Sequence, residues 1–286
     1  MAISGSANRS ATTEKVVAYF AGCTTNYNEP ELGEAVVEIL EKLGMRPVYP
    51  EQRCCAIPQL TAGDVSGFRK NAEFNTRSLL ASGGDVVTAC TSCVVALKHD
   101  YPKWLRAPEA TALTERTHDV MEYLVRHWVG GAMPPFEPVE LSLAYHAPCH
   151  LVVLGDDLID RRLALLRSIP GLSVTRVDRG CCGMGGTFGM KCHNYQMSME
   201  IGEALFAALK EHKPDMVISE CPTCRSQIAH GTGLPVIDPV MIIRRALRPA
   251  NRESKSPGTR NNLTTNNVTT AVDAHEHDMG CGQSPR

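Results

Sequence analysis

The sequence predicts an α/β fold built from two copies of one small parallel-sheet unit. Three observations carry that prediction. The first is a repeat in the cysteines. Cys23, Cys54, Cys55, Cys90 and Cys93 recur as Cys149, Cys181, Cys182, Cys221 and Cys224, at offsets of 126, 127, 127, 131 and 131 residues. A near-constant offset over five positions implies one supersecondary unit used twice. The second is that short, β-rich apolar runs precede cysteines in both halves. The third is that longer segments with a helical period lie between those runs, and strands alternating with helices build parallel sheets.

Residues 1–15 (MAISGSANRSATTEK) lack the apolar core of a secretory signal and read as a loose end. The first unit takes residues 16–127. It opens on the strand Val16 to Gly22, which leads into Cys23. Glu31 to Leu43 places Leu32, Val36, Ile39, Leu40 and Leu43 near a 3.6-residue period, which is a helix. Asp85 to Ala89 is the strand before Cys90. Residues 128–140 begin WVGGAMPPFEP, and their glycines and prolines mark a linker.

The second unit takes residues 141–248. Leu141 to His146 is its first strand, leading towards Cys149, and Asp215 to Glu220 is the strand before Cys221. Between them, Met197, Ile201, Leu205 and Leu209 share one helix face. Asp238-Pro239-Val240-Met241 matches His118-Asp119-Val120-Met121, so Val240 to Arg248 is expected to be a closing core helix rather than a lipid-binding one. Residues 249–286 are dominated by Asn, Thr, Ser, Gly and charged side chains, too polar to offset the entropy of ordering. That tail carries Cys281, with His275 and His277 nearby.

Each cysteine group therefore follows a strand, where parallel sheets usually place ligands. Five thiols per unit exceed the four of a structural zinc site or a cubane cluster. Thiolates are soft ligands that select iron–sulfur clusters, zinc or Cu(I). Adjacent cysteines diverge in a regular strand, but a sharp turn aims both at one centre. Gly183 after Cys182 suits such a turn, whereas Ala56 after Cys55 is less comfortable at positive φ.

Gly183 to Gly189 (GMGGTFG) misses the dinucleotide spacing, because Phe188 stands at the third glycine position. It reads as a turn bringing backbone N–H groups towards cluster sulfurs. Val94 and Arg225 follow the two C-x-x-C motifs where a c-type haem needs histidine. Cys221-Pro222-Thr223-Cys224 alone allows a thioredoxin-type site, against which the paired cysteines weigh. His146 and His150 flank Cys149 as loop-positioning residues, metal ligands or proton donors. Cys192 has no counterpart and reads as a helix-start cysteine.

The 29 basic and 31 acidic residues leave a net charge of −2, so no global basic field recruits nucleic acid. No run of ~18 apolar residues occurs, which argues against a membrane span. No flavin motif, phosphate loop or acid–base constellation is evident.

The pattern Cys, then Cys-Cys-Gly, then C-x-x-C, given twice, resembles the cysteine-rich "CCG" domain family over Val16 to Leu247. Its members include the cysteine-rich subunit of heterodisulfide reductase, the iron–sulfur subunits of glycolate and lactate oxidation, and the corresponding subunit of anaerobic glycerol-3-phosphate dehydrogenase. GCTTNYNEPELG (Gly22 to Gly33), YHAPCH (Tyr145 to His150) and CCGMGGTFGMK (Cys181 to Lys191) are similar to the last branch. The resemblance implies a [4Fe–4S] cluster, non-cubane in relatives with all five cysteines. Cys23, Cys54, Cys55, Cys90 and Cys93 would hold one. Cys149, Cys181, Cys182, Cys221 and Cys224 would hold the other. Some members hold zinc or an ordinary cluster in one repeat, and Ala56 departs from the Cys-Cys-Gly pattern.

The implied function is an iron–sulfur electron-transfer subunit. It would take electrons from a flavoprotein dehydrogenase of glycerol-3-phosphate, lactate or glycolate type and pass them to a quinone or other acceptor. Cluster-based disulfide or heterodisulfide reduction and a zinc-binding scaffold are the alternatives. The glycerol-3-phosphate branch normally opens with a ferredoxin-like domain, so a separate ferredoxin-like subunit is the expected partner here. The expected location is the cytoplasm, with partners providing any contact with the membrane face.

Overall fold

The computed structural model describes residues 15–247. Its first half holds strands β1 (Lys15–Tyr19), β2 (Met45–Val48), β3 (Asp85–Thr88) and β4 (Thr117–Asp119). Its second half holds β5 (Leu141–Tyr145), β6 (Leu172–Arg176), β7 (Met216–Ile218) and β8 (Val236–Ile237). Every pairing is parallel, and the two sheets have matching orders, β2-β1-β3-β4 and β6-β5-β7-β8. The pseudo-repeat expected from the cysteine offsets is thus a repeat of topology. The inner strands bury Val17, Ala18, Val86 and Val87 in one sheet and Leu143, Ala144, Val217 and Ile218 in the other. Such continuous apolar runs belong to strands covered on both faces.

The helix Pro30–Lys42 buries Leu32, Ala35, Val36, Ile39 and Leu40, the stripe its period predicted. Proline in the first turn starts it without losing a needed N–H. The helix Cys192–His212 differs from expectation. Its buried face is Ser198, Gly202, Leu205, Phe206 and Leu209, while Met197 and Ile201 are 55% and 50% exposed. The small residues are turned inward because this helix lies against the Cys181-Cys182 loop. A Cβ on Gly202 would come 2.6 Å from the Cys182 carbonyl oxygen.

Asp119 caps the helix Val120–Val129, accepting from the Met121 and Glu122 amides, and Asp238 caps Pro239–Ala246, accepting from Val240. The latter helix buries Val240, Ile242, Ile243 and Ala246, so it closes the core as its match to the segment His118-Asp119-Val120-Met121 predicted. Among the described residues, no helix is long and apolar enough to cross a membrane.

The halves meet chiefly through four helices. Pro30–Lys42 packs on Pro239–Ala246, and Val120–Val129 packs on Asp156–Arg167. Exchanging the halves exchanges these two contacts, which makes the interface a pseudo-two-fold one. One apolar core runs through it, with Ile39, Met121 and Leu124 from one half and Leu163, Leu166 and Ile243 from the other. Arg162, 1% exposed, crosses it to reach Asp119 at 3.0 Å and also pairs with Glu220 of its own half at 3.2 Å. Tyr145 Oη donates to Glu220 at 2.9 Å. Arg225 joins Asp238 (2.8 Å) to Glu29 of the first half.

Candidate metal centres

The strand ends deliver the cysteines. Cys23 lies in the helix Gly22–Tyr27 after β1, and Cys54 and Cys55 lie in the loop after β2. Cys90 follows β3, and Cys93 lies in the helix Thr91–Val95. The second half repeats the arrangement. Cys149 opens the helix Cys149–Val152 after β5, and Cys181 and Cys182 follow β6. Cys221 caps and Cys224 enters the helix Pro222–Thr232 after β7. All eleven cysteines among the described residues are free thiols.

Each set is linked thiol to thiol in the same order. In the first, Cys23 Sγ lies 4.0 Å from Cys54 Sγ. Cys55 interacts with Cys54 and Cys93, and Cys93 with Cys90. In the second, Cys149 interacts with Cys181 and Cys181 with Cys182. Cys182 Sγ lies 3.4 Å from Cys224 Sγ, which in turn meets Cys221.

The thiols unequally share their protons. Hydrogen bonds from Cys54 and Cys93 bring Cys55 down to about 5, and those from Cys149 and Cys182 bring Cys181 down to about 2. A hydrogen bond from Cys224 brings Cys221 down to about 5. The donors Cys93, Cys149 and Cys224 are pushed up in consequence, with burial adding to the effect. A metal centre replaces such shared protons, since thiolate is the ligand form. Five converging soft donors per set fit an iron–sulfur group or zinc.

The turn that aims each cysteine pair is left-handed in both halves, at φ 68° for Ala56 and 88° for Gly183. Ala56 adopts this turn in the first half although a positive φ is less comfortable for alanine than for glycine. The amides of Ala56 and Gly183 each lie 3.4 Å from a sulfur, that of Cys54 and Cys181 respectively. Gly183 has a second constraint that Ala56 lacks. A Cβ there would collide with the Ser198 carbonyl oxygen of the neighbouring helix. The glycine-rich loop beyond it also turns through positive φ at Gly185 and Gly186.

His146 directly follows β5, with its amide donating to the Ile218 carbonyl at 3.0 Å. Burial holds its imidazole neutral, down to about 4. His150 faces the other half instead, with Nδ1 3.1 Å from Ser92 Oγ, so neighbours of Cys149 and Cys93 touch across the interface. Cys192 opens its helix, is exposed, and belongs to neither linked set. Cys281, His275 and His277 lie outside the described residues.

Some supporting residues were missed from sequence. Asn75 Nδ2 donates to the carbonyls of Arg53 (3.1 Å) and Cys54 (3.3 Å), and Tyr101 Oη donates to that of Cys55 (3.3 Å). In the second half Ser198 Oγ donates to the Gly183 carbonyl, and Gln227 donates to Ser198 Oγ. Buried polar groups need partners, and these find them on the cysteine loops. The available signal was a polar residue at helical spacing among apolar ones, as in Phe68, Ala72, Asn75 and Leu79.

Two matching α/β units, each gathering five thiols at its strand ends, define a doubled cysteine-rich domain. The chain belongs to the CCG cysteine-rich domain family, which matches residues 17–98 and 143–229. It is 34% identical over 236 residues to a subunit of the anaerobic glycerol-3-phosphate dehydrogenase of Escherichia coli (strain K12), covering 81% of this chain and 59% of that one. It is 30% identical to lactate utilization protein A of Bacillus licheniformis, covering 76% of this chain and 92% of that one. An iron–sulfur protein of Methanocaldococcus jannaschii is also 30% identical, over 76% of this chain and 42% of that one. The chain thus spans little more than half the length of its glycerol-3-phosphate dehydrogenase relative.

Proposed function

We propose that this chain is an iron–sulfur electron-transfer subunit of an oxidoreductase complex. The observation that carries the reading is the convergence of two five-thiol sets, each joined in the same order at the ends of three parallel strands. The family membership and the iron–sulfur relative support a cluster as the group held. Cys23, Cys54, Cys55, Cys90 and Cys93 would ligate one [4Fe–4S] group, and Cys149, Cys181, Cys182, Cys221 and Cys224 the other. Such a group supplies reversible one-electron chemistry.

The protein's part is positional. The loops after β1, β2 and β3, and those after β5, β6 and β7, hold the thiols together. The turn amides of Ala56 and Gly183 offer hydrogen bonds to sulfur, which raise reduction potential. Ser92 and His150, neighbours of Cys93 and Cys149, touch across the interface. A flavoprotein dehydrogenase, of glycerol-3-phosphate, lactate or glycolate type, is the proposed donor. A ferredoxin-like subunit is a further proposed partner, and a quinone is the proposed acceptor.

The test is stopped-flow oxidation. Anaerobically purified protein, reduced with dithionite, is mixed with a soluble naphthoquinone and followed by visible absorption. The reading expects bound iron and acid-labile sulfide, and recovery of the oxidised spectrum on mixing. Zinc without sulfide, or iron whose spectrum ignores both reagents, would refute it.

A further inference from the structure

The two cysteine sets are built alike, but the residue placed directly after the first strand of each unit is not. At an offset of 126 residues, Phe20 in the first half corresponds to His146 in the second. Both are enclosed, Phe20 fully and His146 to 3% exposure. A ligating nitrogen of His146 and the sulfurs of Cys182 and Cys224 all lie within 4.8 Å of one another, and all three residues are buried. The two sulfurs are 3.4 Å apart. Ligands bonded at about 2.0–2.3 Å in a tetrahedral site are separated by distances of that order.

We infer that His146 is a metal ligand of the second set, which makes that set a mixed imidazole–thiolate centre while the first is thiolate only. The inference rests on the second set being a metal centre, and not on which metal it holds. Several features support it. The backbone bond to Ile218 fixes the residue at the strand end. The imidazole is enclosed on the side of Cys182 and Cys224, away from bulk water. Imidazole and thiolate together suit zinc and iron alike. The first half gains nothing comparable, since Phe20 offers no donor atom. The two centres would therefore differ in metal preference.

The test uses Co2+ alone, titrated anaerobically into metal-free full-length protein carrying Cys54→Ser and Cys55→Ser, so that the second set dominates binding. Co2+ reports its donors through the positions of its visible bands, and competition with Zn2+ gives the affinity. His146→Phe, which installs the first half's own residue, should weaken binding at least tenfold and move the bands to longer wavelength. His146→Gln gives the same reading if the Phe variant loses its far-ultraviolet circular dichroism. Affinity within about twofold of the parent with unmoved bands, in a folded variant, overturns the inference while leaving the thiolate centre intact. Failure of the parent to bind Co2+ through thiolates overturns both the inference and the metal-centre reading.

Discussion

Ala56 and Gly183 show how one turn is met by two residues. A non-glycine residue in the left-handed region costs roughly 1–2 kcal/mol. Ala56→Gly removes that cost but also removes a fully buried methyl worth roughly 0.8 kcal/mol. The expected change in stability is therefore under about 1 kcal/mol by urea denaturation. Gly183→Ala adds the left-handed cost and drives a Cβ into the Ser198 carbonyl, so a loss of more than about 2 kcal/mol is expected, with the second set disordered. Equal effects from the two substitutions would contradict the account of why glycine stands at only one of them. His118 gives a pH dependence. Desolvation, with Arg126 adding to it, lowers its pKa below the ordinary 6.5. The folded state thus resists protonation that the unfolded chain accepts. Stability from this group is present above 6.5 and lost as pH falls through that value towards the folded pKa. Urea midpoints for the wild type should drop between about pH 7.5 and about pH 5.5, and His118→Gln should flatten that slope. An unchanged slope would place the titration elsewhere.

At the scale of elements, legibility followed composition. β1, β3, β5 and β7 were readable because their apolar runs are buried on both faces. β4 was not, since Thr117-His118-Asp119 carries no apolar signal and is held as a strand by pairing with Val86, Val87 and Thr88. The Cys192–His212 helix was readable as a helix, but its buried face was misjudged. Met197 and Ile201 look like core residues in sequence, whereas the cysteine loop demands the small side chains of Ser198 and Gly202. Arg162 was equally hidden, standing beside Asp160 and Arg161 like any exposed helical charge. In the structure it links the helix Asp156–Arg167 to Asp119 and Glu220. Removing one member of a buried ionic group costs about 3–5 kcal/mol. Arg162→Met should therefore destabilise by that order. The loss should be smaller near pH 5 than near pH 8, because the abandoned carboxylates can then be neutralised by protons. Chemical denaturation at the two pH values checks both the size and the sign.

For the whole molecule, the cysteine arithmetic revealed a unit used twice but not how the two copies face each other. That depends on helix surfaces whose partners lie some 200 residues away, as with Lys42 Nζ and the Leu247 carbonyl at 2.7 Å. The shared core makes the halves one packed body while leaving two separate thiol sets. The central claim is that each set holds its own iron–sulfur group. Its most direct test is iron and acid-labile sulfide per chain in anaerobically reconstituted protein, for the wild type and two double variants, Cys54→Ser/Cys55→Ser and Cys181→Ser/Cys182→Ser. Each double variant should lose one set's iron and sulfide and keep the other's, and combining the four substitutions should remove both. Iron and sulfide unchanged in either double variant, or zinc alone in the wild type, would contradict the account.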